Sequence, residues 1–137
     1  MSPDKGRSKS GRTEGSRRAR KPSANPMARA RAAQLGWVIK PASEQARKEW
    51  ESALLAEPEL MAIERERLRT RPMDRSDNPR RTAQLKYRLA TRTIDGKVLP
   101  QWQREVTGSG RVWYCPDKET GIVWITKAEL RHPGETD

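Results

Sequence analysis

With 137 residues, of which 33% are hydrophobic and 34% charged, the chain has material for one domain with a small core and no phenylalanine to fill it. A formal net charge of +11 favours polyanionic partners and says nothing by itself about fold. The single cysteine, Cys115, excludes an internal disulfide, and with His132 as the only histidine a structural zinc site is also excluded.

The charge is uneven. Residues 1–33 hold ten Lys or Arg against Asp4 and Glu14, a local +8 that leaves +3 for the rest. Their Ser, Gly, Arg, Lys and Pro offer little apolar surface to repay ordering, so residues 1–33 are expected to be a disordered basic arm. An inert leader ahead of Met27 and a tether for nucleic acid both fit that composition. No apolar stretch follows the N-terminal charges, and no run approaches the roughly 18 residues of a membrane span, so the expected location is cytoplasmic, with no membrane partner.

The domain is expected over residues 34–137. Trp37-Val38-Ile39 predicts a short strand ending before Pro41. Ser43 is placed to cap a helix with Glu44 in its first turn, and Ala46, Trp50, Ala53 and Leu54 fall on one helical face. Pro58 ends that helix and opens a second, through Leu60, Ile63 and Leu68 to about Thr70, with Arg residues in its C-terminal half and Pro72 beyond. The polar stretch from Met73 to Arg81 reads as a loop.

Strand alternation follows. Leu85, Tyr87 and Leu89 alternate with Lys86 and Arg88, and Trp102, Arg104 and Val106 alternate with Gln103 and Glu105, with Asp95-Gly96 as a turn between them. Two further strands, Arg111–Cys115 and Ile122–Thr126, flank a loop over 116–121. A hairpin symmetric about that loop would oppose Trp113 and Trp124. The expected fold is α+β: a two-helix hairpin packed on a small antiparallel sheet.

The chemistry legible here is cationic. Gly108-Ser109-Gly110 joins two strands and lacks the helix and lysine of a phosphate loop, and no residue spacing suggests a metal cluster, a cofactor site or a nucleophilic triad. Lys86, Arg88, Arg104 and Arg111 lie in or beside strands of one meander. Converging on one face, they would grip a phosphodiester and stabilise the charge of an in-line attack; left apart, they form a solvated sheet face. His132 is the one side chain that ordinarily titrates near neutrality. Tyr87 and Tyr114 are candidates to stack on bases or donate hydrogen bonds. Four of the five tryptophans, Trp37, Trp50, Trp113 and Trp124, are assigned to the core.

The segments QLKYRLATRT, QWQREVTGSGRVWYCPD and GIVWITKAELRHP resemble, in their order, the RelE/ParE-type toxins of bacterial toxin–antitoxin pairs, and with the helical hairpin the resemblance spans roughly residues 36 to 133. It rests on Leu85-Lys86, Arg104, the Gly108–Gly110 turn, Arg111 with Val112 and Tyr114, the apolar strand Ile122–Ile125, and His132. The resemblance implies a ribosome-dependent endoribonuclease acting on messenger RNA without a cofactor or metal. An antitoxin would wrap the domain and cover its basic face. It assigns Lys86, Arg104 and Arg111 to phosphate binding and charge stabilisation and His132 to acid or base work; Arg88, Tyr87 and Tyr114, read from their own chemistry, are the expected RNA contacts. The chain departs from the family where Pro133 follows the late histidine and no later tyrosine occurs. Gyrase inhibition on the same scaffold and non-enzymatic binding of nucleic acid or ribosome are the alternatives.

Overall fold

The computed structural model describes residues 26–27, 36–76 and 78–130; the expected basic arm falls almost wholly outside them, as does His132. The order of elements is β1 (Val38–Pro41), α1 (Glu44–Ala56), α2 (Pro58–Thr70), β2 (Thr82–Gln84), a 3-10 turn (Tyr87–Leu89), β3 (Thr91–Ile94), β4 (Lys97–Pro100), β5 (Trp102–Glu105), β6 (Arg111–Asp117) and β7 (Ile122–Glu129). The fold class is α+β, as expected.

The helical hairpin forms where its local signals put it. The Ser43 hydroxyl accepts from the Ala46 amide at 3.1 Å, replacing one of the partners a first helical turn lacks. Arg47 bridges Glu44 and Glu51 on the solvent side, while Ala46, Trp50 and Ala53 are buried. Pro58 occupies the start of α2, where its missing amide costs nothing, and Arg67 and Arg69 sit in the last turn against the helix dipole.

Strands pair in the order β1-β7-β6-β5-β2, with β3 and β4 a separate hairpin. The pairs β2–β5, β5–β6 and β6–β7 are antiparallel, whereas β1 lies parallel to β7; the two helices carry the chain from β1 at one edge of the sheet to β2 at the other. β1 runs on through Pro41, one residue past its expected end. A proline fits there because β1 is an edge strand. Gly36 feeds β1 under the end of α2 at φ +94°, and a Cβ there would lie 2.2 Å from the Arg69 Nη1. The Asp95-Gly96 turn has both residues at positive φ, as a two-residue hairpin requires.

Two expectations are corrected. Leu85–Leu89 is not a strand: the pairing strand is Thr82–Gln84, and Tyr87–Leu89 is a 3-10 turn whose Tyr87 and Leu89 face solvent, so Lys86 and Arg88 do not share a strand face. Trp113 does not oppose Trp124. Asp117 pairs with Ile122 across a tight turn, in which the Gly121 amide donates to the Asp117 carbonyl at 2.9 Å, and this sets Trp124 opposite Cys115. A bulge then sets Trp113 opposite Lys127.

One face of the sheet packs on the helices. Val106, Val112, Tyr114, Val123, Ile125 and Ala128 meet Trp50, Ala53, Met61 and Leu68 there. On the other face, the β3–β4 hairpin lays Ile94 and Leu99 over Cys115 and Trp124. Past Ile125 no strand among the described residues lies on the outer edge of β7, and the Glu49 carboxylate of α1 accepts its Ala128 amide at 2.9 Å.

Candidate nucleic-acid interface

Register decides which predicted residues can meet, because directly opposed residues on neighbouring strands point the same way. Arg104 opposes Val112 and Thr82, so it points toward the helices; Glu105 opposes Arg111, so Arg111 points away from them. The two arginines lie on opposite faces of the sheet.

Arg104 is 5% exposed. Its Nε donates to Glu64 Oε1 at 2.8 Å and its Nη1 to the Thr82 hydroxyl at 3.0 Å, with the Arg81 guanidinium 3.9 Å from the other Glu64 oxygen. A phosphate cannot reach it, which corrects the expectation that Arg104 grips RNA. Tyr114 is fully buried, and its hydroxyl donates to the Pro72 carbonyl at 2.5 Å. Burial holds its phenol well above the ordinary range. It therefore anchors the loop after α2 and is not an RNA contact. The sequence carried the signal in both cases: Arg104 shares its parity with Trp102 and Val106, and Tyr114 shares its parity with Val112.

The open face carries a strip that the hairpin leaves uncovered. The Trp113 indole donates to Gln103 Oε1 at 2.8 Å, and the Lys127 ammonium lies 5.5 Å from the Trp113 ring centroid. Arg111 Nη2 sits 3.0 Å from Glu129 Oε1. That contact is one of charge without hydrogen-bond geometry, since Arg111 Nε and Glu129 Oε1 both lack a hydrogen-bond partner among the described groups. Arg111 and Lys127 are balanced on this strip by Glu105 and Glu129, so the sheet itself presents no concentrated positive charge.

Two of the predicted cations stand instead on the 3-10 turn. Lys86 and Arg88 are exposed there, and no described carboxylate pairs with either. Between them Tyr87 is 91% exposed with φ +59°. A bulky residue rarely adopts that left-handed conformation, which costs roughly 1–3 kcal/mol and persists only where surrounding contacts over-determine it.

Gln101 supplies those contacts. Its amide donates to the Ala90 carbonyl at 2.8 Å, its carbonyl accepts from the Leu85 amide at 2.9 Å, and its Nε2 donates to the Leu89 carbonyl at 2.9 Å. Its Oε1 accepts from the Thr126 hydroxyl at 2.6 Å, which ties the turn to the open face of β7. Gln84 Nε2 adds a bond to the Ala90 carbonyl at 3.2 Å. Sequence reasoning missed Gln101, since a glutamine after Pro100 has no local signature and its partners are far along the chain.

A cleft of about 570 Å³ lies beyond the hairpin, lined by Gln84, Lys97, Trp102, Asp117 and Glu119 among others. Its Lys97 is already paired with Asp117 at 2.7 Å and Glu119 at 3.2 Å. Of the other predicted residues, Lys86, Tyr87 and Arg88 are consecutive in the turn, Arg111 is on the strip, and His132 lies outside the described residues.

No family model matches the chain, and no curated protein does. Among solved structures it is similar to the archaeal RelE–RelB complex from Pyrococcus horikoshii OT3, with 19% identity, a TM-score of 0.49, and coverage of 72% of this chain and 99% of that chain. It is also similar to the toxin–antitoxin complex RelBE2 from Mycobacterium tuberculosis, with 17% identity, a TM-score of 0.41, and coverage of 70% of this chain and 99% of that chain.

Proposed function

We propose that this chain is the toxin of a toxin–antitoxin pair and acts on RNA, as a ribosome-dependent endoribonuclease that cleaves messenger RNA in the cytoplasm. The observation that carries the reading is a pair of exposed cations, Lys86 and Arg88, that meet no carboxylate among the described residues and stand on a turn fixed by Gln101, which Thr126 ties to β7. The ordered sequence segments with their RelE/ParE resemblance supply the reaction class.

Lys86, Arg88 and Lys127 bind phosphates of the backbone. Arg111, held to Glu129 without a full hydrogen bond, exchanges that carboxylate for a phosphate oxygen and takes the charge that grows there. In the cleavage step the ribose 2′-oxygen bonds to phosphorus as the bond to the 5′-oxygen breaks. A base removes the 2′-hydroxyl proton and an acid delivers one to the leaving oxygen; His132 is the candidate for one of these tasks. Arg104 and Tyr114 act as scaffold. The antitoxin covers the turn and the strip.

The test is induced expression of the full chain in a bacterial host, wild type beside Lys86→Ala/Arg88→Ala/Arg111→Ala, following growth and messenger RNA ends. Growth arrest with new cuts in translated messages, both lost in the variant, is the expected result. Arrest without cuts moves the target to gyrase. Normal growth favours the second reading, a non-enzymatic RNA- or ribosome-binding protein, which the burial of Arg104 and Tyr114 supports because it removes two groups from the chemistry.

A further inference from the structure

Tyr87 stands out on grounds independent of any reaction. Its ring is 91% exposed, so it fills no core. Its φ of +59° is one that glycine or asparagine adopts readily and tyrosine does not, so the turn gains nothing locally from the side chain. The strained backbone is nonetheless fixed from several sides, by the Gln101 and Gln84 bonds and by two bonds of its own: the Leu89 amide to the Lys86 carbonyl at 3.1 Å and the Ala90 amide to the Tyr87 carbonyl at 3.0 Å. An aromatic ring is thus held out to solvent on a rigid mount.

What such a ring meets is decided by its neighbours. Lys86 and Arg88 flank it, exposed and without carboxylate partners among the described residues, which favours a polyanion with flat groups over an apolar peptide. A base inside a duplex already stacks on both faces, whereas a base in a single strand has a face to give.

We propose that Tyr87 is a stacking platform for one unpaired base of single-stranded RNA, with Lys86 and Arg88 holding phosphates of the same strand. This rests on the reading of the chain as RNA-directed and adds the form of the substrate and the residue that selects it. Pre-organisation explains why a strained tyrosine is tolerated: the turn loses little freedom when the base arrives.

The test titrates the full chain into a short fluorescein-labelled single-stranded RNA and into the same RNA annealed as a duplex. A salt concentration of about 0.3 M screens the non-specific attraction of the basic residues at 1–33 while leaving stacking intact. Wild type is expected to prefer the single strand. Tyr87→Ala is expected to weaken that binding by about tenfold, and Tyr87→Phe to bind as wild type does. Tyr87→Asn, which removes both ring and strain, is expected to bind as weakly as Tyr87→Ala while melting a few degrees higher than wild type.

Wild-type RNA binding that Tyr87→Ala leaves unchanged would overturn the stacking role and leave the RNA reading standing. Equal affinity for strand and duplex would do the same. A lower melting temperature for Tyr87→Asn would show that the ring supports the fold and would remove the premise. If the wild type binds no RNA of either form, the RNA reading fails and the platform with it. Loss of a co-purifying protein on Tyr87→Ala, with RNA binding intact, would reassign the ring to a protein partner.

Discussion

On the helix-covered face of the five-stranded sheet, charge is buried only in company. Arg104 reaches Glu64 and Thr82, Arg67 Nη2 donates to the Asp74 carbonyl at 2.7 Å, and the Tyr114 hydroxyl meets Pro72. On the open face and on the turn beyond β2 the corresponding groups are loosely held: Arg111 of the sheet touches Glu129 without a hydrogen bond, and Lys86 and Arg88 of the turn pair with no described carboxylate. The same residue type is therefore held in two ways. Arginines on the first side fasten α2 to β5 and to the segment that follows α2, whereas the cations on the second are exposed or only loosely paired.

That contrast breaks most visibly at Glu64. Removing one partner of a buried ion pair leaves the other charged and dry, so Glu64→Ala should cost about 3–5 kcal/mol of unfolding free energy by urea titration. Glu64→Leu combined with Arg104→Met should recover much of the loss, because a well-packed apolar pair of similar volume replaces the ion pair adequately. If Glu64→Ala costs less than about 1 kcal/mol, Arg104 has access to water and the two faces are not as different as described.

A smaller effect compares the faces through adjacent residues of β6. Burial holds Tyr114 protonated on the helix side and pushes the Cys115 thiol, on the hairpin side, up from 9.0 to about 11. Both groups keep their protons more tightly folded than unfolded. The stability they contribute is thus complete below pH 9 and is lost as pH rises through 9 to 11 for Cys115, and further for Tyr114. Unfolding free energy should fall by about 2 kcal/mol over that window for the thiol alone, at about 1.4 kcal/mol per unit of displacement. Cys115→Val should flatten the decline and leave the later part due to Tyr114. A profile unchanged by that substitution would show that water reaches the hairpin side of β6.

The sequence was legible where a rule acts within a few residues. Ser43 and Pro58 place the helix starts, Asp95-Gly96 places a turn, and Trp102, Arg104 and Val106 show one strand's alternation. It misled where a distant partner overrides local pattern. Leu85, Tyr87 and Leu89 alternate as a strand does, but Gln101 and Thr126 hold that segment as a turn. Likewise the β6–β7 register follows from the tight turn at 118–121 and a bulge, neither visible in the apolar pattern. Arg104 and Tyr114 are a different kind of miss. Their parity announced burial, and their chemistry suggested exposure; a buried arginine is rare unless paired, and the pairing carboxylate, Glu64, is 40 positions away.

The smallest expected effect lies on the open strip, at Lys127. Its ammonium stands over Trp113 at 5.5 Å in a half-buried setting, a contact worth roughly 0.5–1 kcal/mol. Lys127→Ala should thus move unfolding free energy by less than about 1 kcal/mol, well below the cost at Glu64. If the strip follows an RNA backbone, the substitution removes one phosphate contact. The slope of log affinity against log salt for a single-stranded RNA should then become shallower by about 0.7. Wild-type and variant slopes that coincide would take Lys127 off the path of the strand and confine the interface to the turn. A large loss of stability would instead place Lys127 with Arg104 among the residues that hold the molecule together, and the distinction between the faces would have to be drawn elsewhere.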